Sequence, residues 1–334
     1  MIRRPPRSTL SSSSAASDVY KRQSSTHCFH GTAFAPGHIT GFFEISTTHP
    51  DPLFHGSRGA GISLDRGVTT QVILEPEAAS EITVTINGRP APEAVVSRRT
   101  AALYAEAAPA HCQGKISVFH TIDIPEGAGF GSSGAGALSL AYALNRAAGD
   151  PLSLTAAGQL AHRAEVDCGT GLGTVLADTV GGLEIRLRAG APGIGKVISR
   201  PLAGDYRIIC FVFGPLSTEH ALGNPDLRAR INALGGGLVD QLAARPEPGL
   251  FMESARLFSE AVGLLSPRLL SLRDTVERAG LPAAMTMFGE GLFCLFNRTD
   301  GLRIGSAVLA AEEAGARVWT FGPATQGGFV HDAS

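Results

Sequence analysis

Residues 125–136 read PEGAGFGSSGAG. Glycine alternates at 127, 129 and 131, and two serines, Ser132 and Ser133, follow at once. The stretch before it, Lys115–Ile122 (KISVFHTI), is β-rich, and the stretch after it, ALSLAYALNRAAG, is dense in strong helix formers. A strand therefore runs through a glycine loop into a helix. Such a junction leaves backbone N–H groups unshielded by side chains, beside the partial positive charge of a helix N-terminus. That is what a polyphosphate needs. Serine hydroxyls at the helix start can cap it, touch phosphate or ligate Mg²⁺.

Two familiar phosphate motifs do not account for the loop. A Walker A sequence requires Gly-Lys-Ser/Thr, and no lysine is present. Gly129–Gly134 (GFGSSG) satisfies the dinucleotide pattern G-x-G-x-x-G only loosely. That reading also wants the first strand of a βαβ unit and an acid about 20 residues on. Asp150 lies near that distance but inside a Gly149-Asp150-Pro151 turn.

With 334 residues the chain can bury a sizeable core as two ordinary domains or one large one. Hydrophobic residues make up 44% and charged residues 17%, a globular composition. A formal charge of −2 and a single Trp speak against a nucleic-acid partner. No apolar run is long enough for a membrane span. Cys28, Cys112, Cys168, Cys210 and Cys294 are scattered, odd in number and without a C-x-x-C, so no disulfide framework or zinc site is expected. A reducing cytoplasm fits this usage. Residues 1–23 (MIRRPPRSTLSSSSAASDVYKRQ) hold five basic residues and one acid without an apolar core segment, which excludes a secretory signal. An organellar transit peptide fits that composition, but the string resembles translated sequencing-adapter sequence and is set aside as non-native.

Further along, Gly67–Leu74 and Glu81–Ile86 read as strands. Ser153 is placed to cap a helix through SLTAAGQLAHRAEVDCG, and GGLEIRLR reads as a strand. The Gly/Pro-rich stretch 189–195 is the expected boundary between an N-terminal domain, 24–190, and a C-terminal domain, 196–334. In the second part, Tyr206–Phe213 reads as a buried strand. Helical patterns at 226–243, 250–265 and 268–279 precede a β-turn-β-α-β tail that includes AAMTMF, the turn GEG, LFCLF and ARVWTF.

Pro125-x-Gly127-x-Gly129-x-Gly131-Ser132-Ser133-x-Ala135 resembles the second motif of the GHMP small-molecule kinases. Ala35-Pro36-Gly37 is similar to their first motif and Met287–Gly291 to their third. Within that superfamily, APGHITGFFE (35–44), GSRGAG (56–61), AHRAE (161–165) and TGLG (170–173) resemble archaeal-type pantoate kinases. The resemblance implies an α+β, two-domain fold: an N-terminal domain like domain 2 of ribosomal protein S5 and a ferredoxin-like C-terminal domain. It implies ATP-dependent phosphorylation of the 4-hydroxyl of (R)-pantoate, on the way to coenzyme A.

On that resemblance Pro125, Gly127, Gly129, Gly131, Ser132, Ser133 and Gly134 bind ATP. Ser133 and Glu165 hold Mg²⁺, while Ser57, Arg58, His162, Arg186 and His38 are substrate-side candidates. His162 and Glu165, three apart on a helix, share a face. The catalytic aspartate of the family follows TGLG directly, where this chain has Thr174. Asp178, four residues on, is the nearest carboxylate and the candidate replacement. Two other readings stay open: a GHMP kinase for mevalonate, homoserine or a sugar, and a silent nucleotide-binding member without the aspartate. Homodimers are common for soluble enzymes of this size.

Overall fold

A computed structural model describes residues 28–202, 205–216, 224–297 and 301–332. The segment 1–23 lies outside them. The spine is a long antiparallel pair, β1 (Phe29–Ser46) and β2 (Gly56–Glu75), in register from Phe29 opposite Leu74 to Ser46 opposite Gly56. Between them Asp51 caps a short 3-10 turn, Pro52–Phe54, by accepting the Leu53 N–H at 2.9 Å. Register shifts at Pro36/His38 and Thr40/Phe42 interrupt the pair. Such bulges twist a strand and re-aim its side chains.

The far half of β2 pairs with β5 (Lys115–Ile122), which runs parallel to β3 (Glu81–Ile86), itself joined to β4 (Arg89–Pro90). The near half pairs with β6 (Leu183–Arg188), and β6 with β7 (Lys196–Arg200). Thus one strand serves two partners. Helices α1 (Val95–Ala107) and α2 (Ser132–Ala147) pack on this sheet, and α3 (Leu154–Cys168) packs on both helices. α2 is built of small residues and lies close to β1: a Cβ on Gly31 would collide with the carbonyl oxygen of Ala143. Ser153 does cap α3, accepting the Ala156 N–H at 3.1 Å. The single-turn α4 (Thr174–Ala177) leads into β6.

A second sheet has the order β11 (Arg317–Phe321), β8 (Tyr206–Pro215), β10 (Gly289–Asn297), β9 (Ala284–Met285), all antiparallel. Four helices belong to this half: α5 (Pro225–Ala244), which lies against β1, β2 and β6 of the first sheet, and α6 (Pro248–Val262), α7 (Pro267–Arg278) and α8 (Gly301–Glu313), which pack on the second. Each of α5, α6 and α7 starts with proline in its first turn, where the missing N–H costs nothing. The expected turn GEG instead opens β10, and the chain reverses one step earlier at Phe288, whose φ is +61°.

The stretch 189–195 is the turn between β6 and β7, so the change of sheet comes after Arg200 rather than there. The last strand, β12 (Phe329–Val330), returns to pair with β1 in the first sheet. The halves also share a core. Phe251 of α6 sits 6.0 Å from the Phe42 ring of β1 and 6.1 Å from the Phe293 ring of β10. All three are fully buried. Gly41 provides the seat: a Cβ there would stand 2.6 Å from the Phe251 ring. Truncating a buried Phe costs about 3–5 kcal/mol through lost burial and a residual cavity. Phe251→Ala should therefore shift the urea midpoint of one cooperative transition, followed by circular dichroism. An unchanged midpoint would mean that the two sheets do not depend on this contact.

Candidate active site

The loop 127–131 owes its path to glycine. Gly127, Gly129 and Gly131 take φ values of +67°, +85° and +67°, which side chains oppose. Gly131 is the N-cap of α2, with no side chain capping the helix. The first N–H groups of α2 are thus left for a ligand. A Cβ on Gly129 would stand 2.7 Å from the Met287 carbonyl oxygen, and one on Gly289 would collide with that of Ala128. Leu216 N–H donates to Gly127 O at 3.2 Å. The loop is therefore wedged between α2 and the second sheet. Pro125 stands at its entrance.

Above the loop lies a cleft with a cavity volume of about 150 Å³. It is lined by Gly127, Gly129, Phe130 and Gly131–Gly134, by Thr170–Thr174, and by His38, Thr40, Phe43, Ser57, Glu165, Arg186, Met287 and Phe288. Its titratable lining residues, among those described, are His38, Glu165 and Arg186.

Glu165 is buried on α3 and reaches the helix start of α2. Its Oε1 accepts from Ser133 Oγ at 2.5 Å and from Thr170 Oγ1 at 2.7 Å. Burial raises its pKa, and the two hydroxyls pull it back. Gly171 has no Cβ because one would collide with Oε2. A buried carboxylate held only by hydroxyls is an incomplete charge balance.

Across the cleft, β6 carries Glu184 and Arg186 on one face, two residues apart. Glu184 Oε1 accepts from Arg186 Nη1 at 2.6 Å and from His38 Nε2 at 2.9 Å. All three are at most 1% exposed. Gly59 and Gly61 on β2 stand opposite Arg186 and Glu184, and a Cβ on either would collide with Arg186 or His38. Ser57 shares that face and lines the cleft, buried. A Cβ on Gly173 would collide with its hydroxyl, and would lie 3.1 Å from Arg186 Nε. Burial lowers the His38 pKa, against the pull of Glu184, so the ring is neutral at pH 7.

Three of the expected residues fall elsewhere. Arg58 points away and pairs with Glu44 at 3.1 Å and with Asp240. His162 does not line the cleft. It is buried against the backbone of Pro52 and His55, with Nε2 unpartnered, and burial lowers its pKa to about 4. Asp178 caps the end of α4 and is fully buried outside the cleft lining, with neither carboxylate oxygen hydrogen-bonded. Burial, then the nearby charges of Glu165 and Glu184, push its pKa well up. Thr174 does line the cleft: Cβ atoms on Gly131 and Gly134 would each come 2.8 Å from its side chain. Thr40, Thr170 and Glu184 were not singled out in sequence. Thr40 sits in the same APGHITG string as His38, and strand alternation from Arg186 marks Glu184.

A family profile described as "GHMP kinases N terminal domain" matches residues 95–182. The pantoate kinase of Thermococcus kodakarensis is 36% identical over 269 residues, covering 79% of this chain and 86% of that protein. The chain belongs to the pantoate kinase family of GHMP kinases. A solved structure titled "Phosphotransferase related to CoA biosynthesis pathway" superposes with a TM-score of 0.79 at 31% identity, covering 90% of this chain and 98% of that one. Homoserine kinase from Cytophaga hutchinsonii has a TM-score of 0.67 over 90% of this chain and 97% of its own, at 19% identity, which shows the fold alone. GHMP kinases use ATP.

Two outcomes follow. Gly129→Ala should weaken ATP binding, measured by calorimetry, by at least about tenfold, because about 1–3 kcal/mol of backbone strain must be relieved by moving the loop. An affinity equal to wild type would detach the loop from nucleotide binding. For Asp178, a raised folded pKa means that the native state holds a proton the unfolded chain gives up. Its stabilisation is complete below the unfolded value of about 3.9 and fades as pH rises toward the folded value. Asp178→Asn should then gain stability relative to wild type between pH 4 and 8 in urea titrations, and keep turnover. Lost turnover with fold intact would return Asp178 to the catalytic set.

Proposed function

We propose that the chain phosphorylates the 4-hydroxyl of (R)-pantoate with ATP to give 4-phosphopantoate, a step toward coenzyme A. The observation that carries the reading is the single cleft, among the described residues, that joins a glycine loop opening a helix to a buried arginine. One end suits a triphosphate and the other a small carboxylate.

Backbone N–H groups from 127 to 134 would hold the phosphates. Mg²⁺ fits the Ser133 hydroxyl and Glu165. Both are hard oxygen donors, and Glu165 is buried without a cation beside it. Among the described residues no group of three or more His, Cys, Asp or Glu gathers as a metal cage. Few protein ligands, with phosphate and water completing the shell, is the habit of Mg²⁺. When bound it neutralises charge on the transferring phosphoryl group.

Arg186 is the candidate partner of the pantoate carboxylate. Its Nη1 is committed to Glu184, while its Nε is buried without a hydrogen-bond partner. A carboxylate arriving there satisfies a donor that is otherwise costly. Ser57 stands beside it as a hydroxyl for the substrate. A cytoplasmic location belongs to the same proposal, supported by five free cysteines. No helix of the described residues is long and apolar enough to cross a membrane.

The test is a coupled ADP-release assay with Mg-ATP and (R)-pantoate, with mevalonate and homoserine in parallel. Release with pantoate alone is the expected result. Release with another acceptor keeps the kinase and discards pantoate. ATP binding without release for any acceptor would mean a silent member. Arg186→Lys should raise KM for pantoate by about 10–100-fold, since a lysine cannot replace a bidentate guanidinium, and leave KM for ATP in place.

A further inference from the structure

The cleft contains one proton acceptor with no other duty. Of its titratable lining residues, Arg186 offers only donors, and Glu165 already accepts from Ser133 and Thr170. His38 remains. Its ring is fixed from one side, where Nε2 donates to the Glu184 carboxylate, itself clamped by Arg186. With the proton on Nε2, Nδ1 is the acceptor. Facing it at 3.3 Å is the Thr40 hydroxyl, and Thr40 and His38 both line the cleft. The two bulges in β1, at Pro36/His38 and Thr40/Phe42, bracket this pair. The same logic of carboxylate, imidazole and hydroxyl activates an oxygen elsewhere in enzymes.

We propose that Thr40, His38 and Glu184 form a relay that takes the proton from the attacking alcohol of the substrate. This rests on the kinase reading above and adds a base to it. As the alcohol oxygen bonds to the γ-phosphorus, its proton passes to Thr40 Oγ1, whose own proton moves to His38 Nδ1. The bond from the γ-phosphorus to the bridging oxygen breaks, and that electron pair leaves with ADP. His38 becomes an imidazolium, facing the Glu184 carboxylate and the Arg186 guanidinium, and returns its proton to water when products leave. A neutral resting ring suits the role. The relay also explains a kinase with Thr174 and a remote Asp178: neither offers a free carboxylate to the cleft.

The experiment compares wild type, Thr40→Val, Thr40→Ser and His38→Gln in the full chain, with Mg-ATP and pantoate, measuring kcat and both KM values. Gln keeps a donor toward Glu184 and removes the base. His38→Gln and Thr40→Val should each lower kcat by about 10²-fold or more, the range of general-base loss, with KM for ATP unchanged. Thr40→Ser, which restores the hydroxyl, should recover at least about tenfold of the Thr40→Val loss. Because His38→Gln can disturb a buried network, the Thr40 pair decides the matter where that variant does not fold. A Thr40→Val kcat within about threefold of wild type overturns the relay. So does equal loss in Thr40→Val and Thr40→Ser. If wild type releases ADP with another acceptor and not with pantoate, the substrate reading alone fails and the same variants are compared on that acceptor; release with none overturns the relay as well.

Discussion

The close approach of two backbones holds this site together. Ala128 and Gly129 press against Met287 and Gly289, where a Cβ on Gly129 would be 2.7 Å from a carbonyl oxygen. That contact ties the glycine loop of the first sheet to the turn that opens β10 in the second. The loop keeps its left-handed glycines because the turn leaves no room for any other path. The cleft lies along this seam, with Met287 and Phe288 as its wall from the second sheet. Phe251, between Phe42 and Phe293, fixes the same seam from below. Orientation of the two halves and geometry of the glycine loop are therefore one constraint.

The second theme is buried charge. Glu165, Asp178, Glu184 and Arg186 are all nearly inaccessible, which is unusual for such residues. Breaking a buried pair is costly, yet pairs of this kind contribute little stability against an apolar alternative. Here Glu184 is shared by Arg186 and His38, so one carboxylate orients both a cation and an imidazole toward the cleft. Glu165 is poised by two hydroxyls on the opposite wall. On the proposed reading, ligand charge would complete the balance on both sides: a cation at Glu165 and an anion at Arg186.

Much of this was legible in the chain because it is local. The glycine loop, the Ser153 cap and the three proline-started helices of the second half are written in short windows. What was not legible is decided by pairing across distance. APGHITGFFE carries a proline and two glycines, yet it runs as strand, because β2 supplies its hydrogen bonds from Gly56 to Glu75. GSRGAG carries three glycines in six residues and is strand too. Successive side chains on a strand point to opposite faces. Ser57 therefore enters the cleft while Arg58 leaves it. Asp178, four residues beyond Thr174, fits a helical turn in spacing, but α4 is a single turn that carries the carboxylate into the interior. His162 shares a helix face with Glu165, one turn earlier, and there it meets the Pro52–His55 turn instead of the cleft.

The central claim is that one cleft receives the triphosphate at the glycine loop and the carboxylate of pantoate at Arg186. The most direct measurement is a crystal structure with Mg²⁺, a nonhydrolysable ATP analogue and (R)-pantoate. The account predicts phosphate oxygens on the N–H groups of 127–134, Mg²⁺ beside Ser133 and Glu165, and the pantoate carboxylate on Arg186. A nucleotide bound away from the loop, or a pantoate whose carboxylate lies far from Arg186, would contradict it.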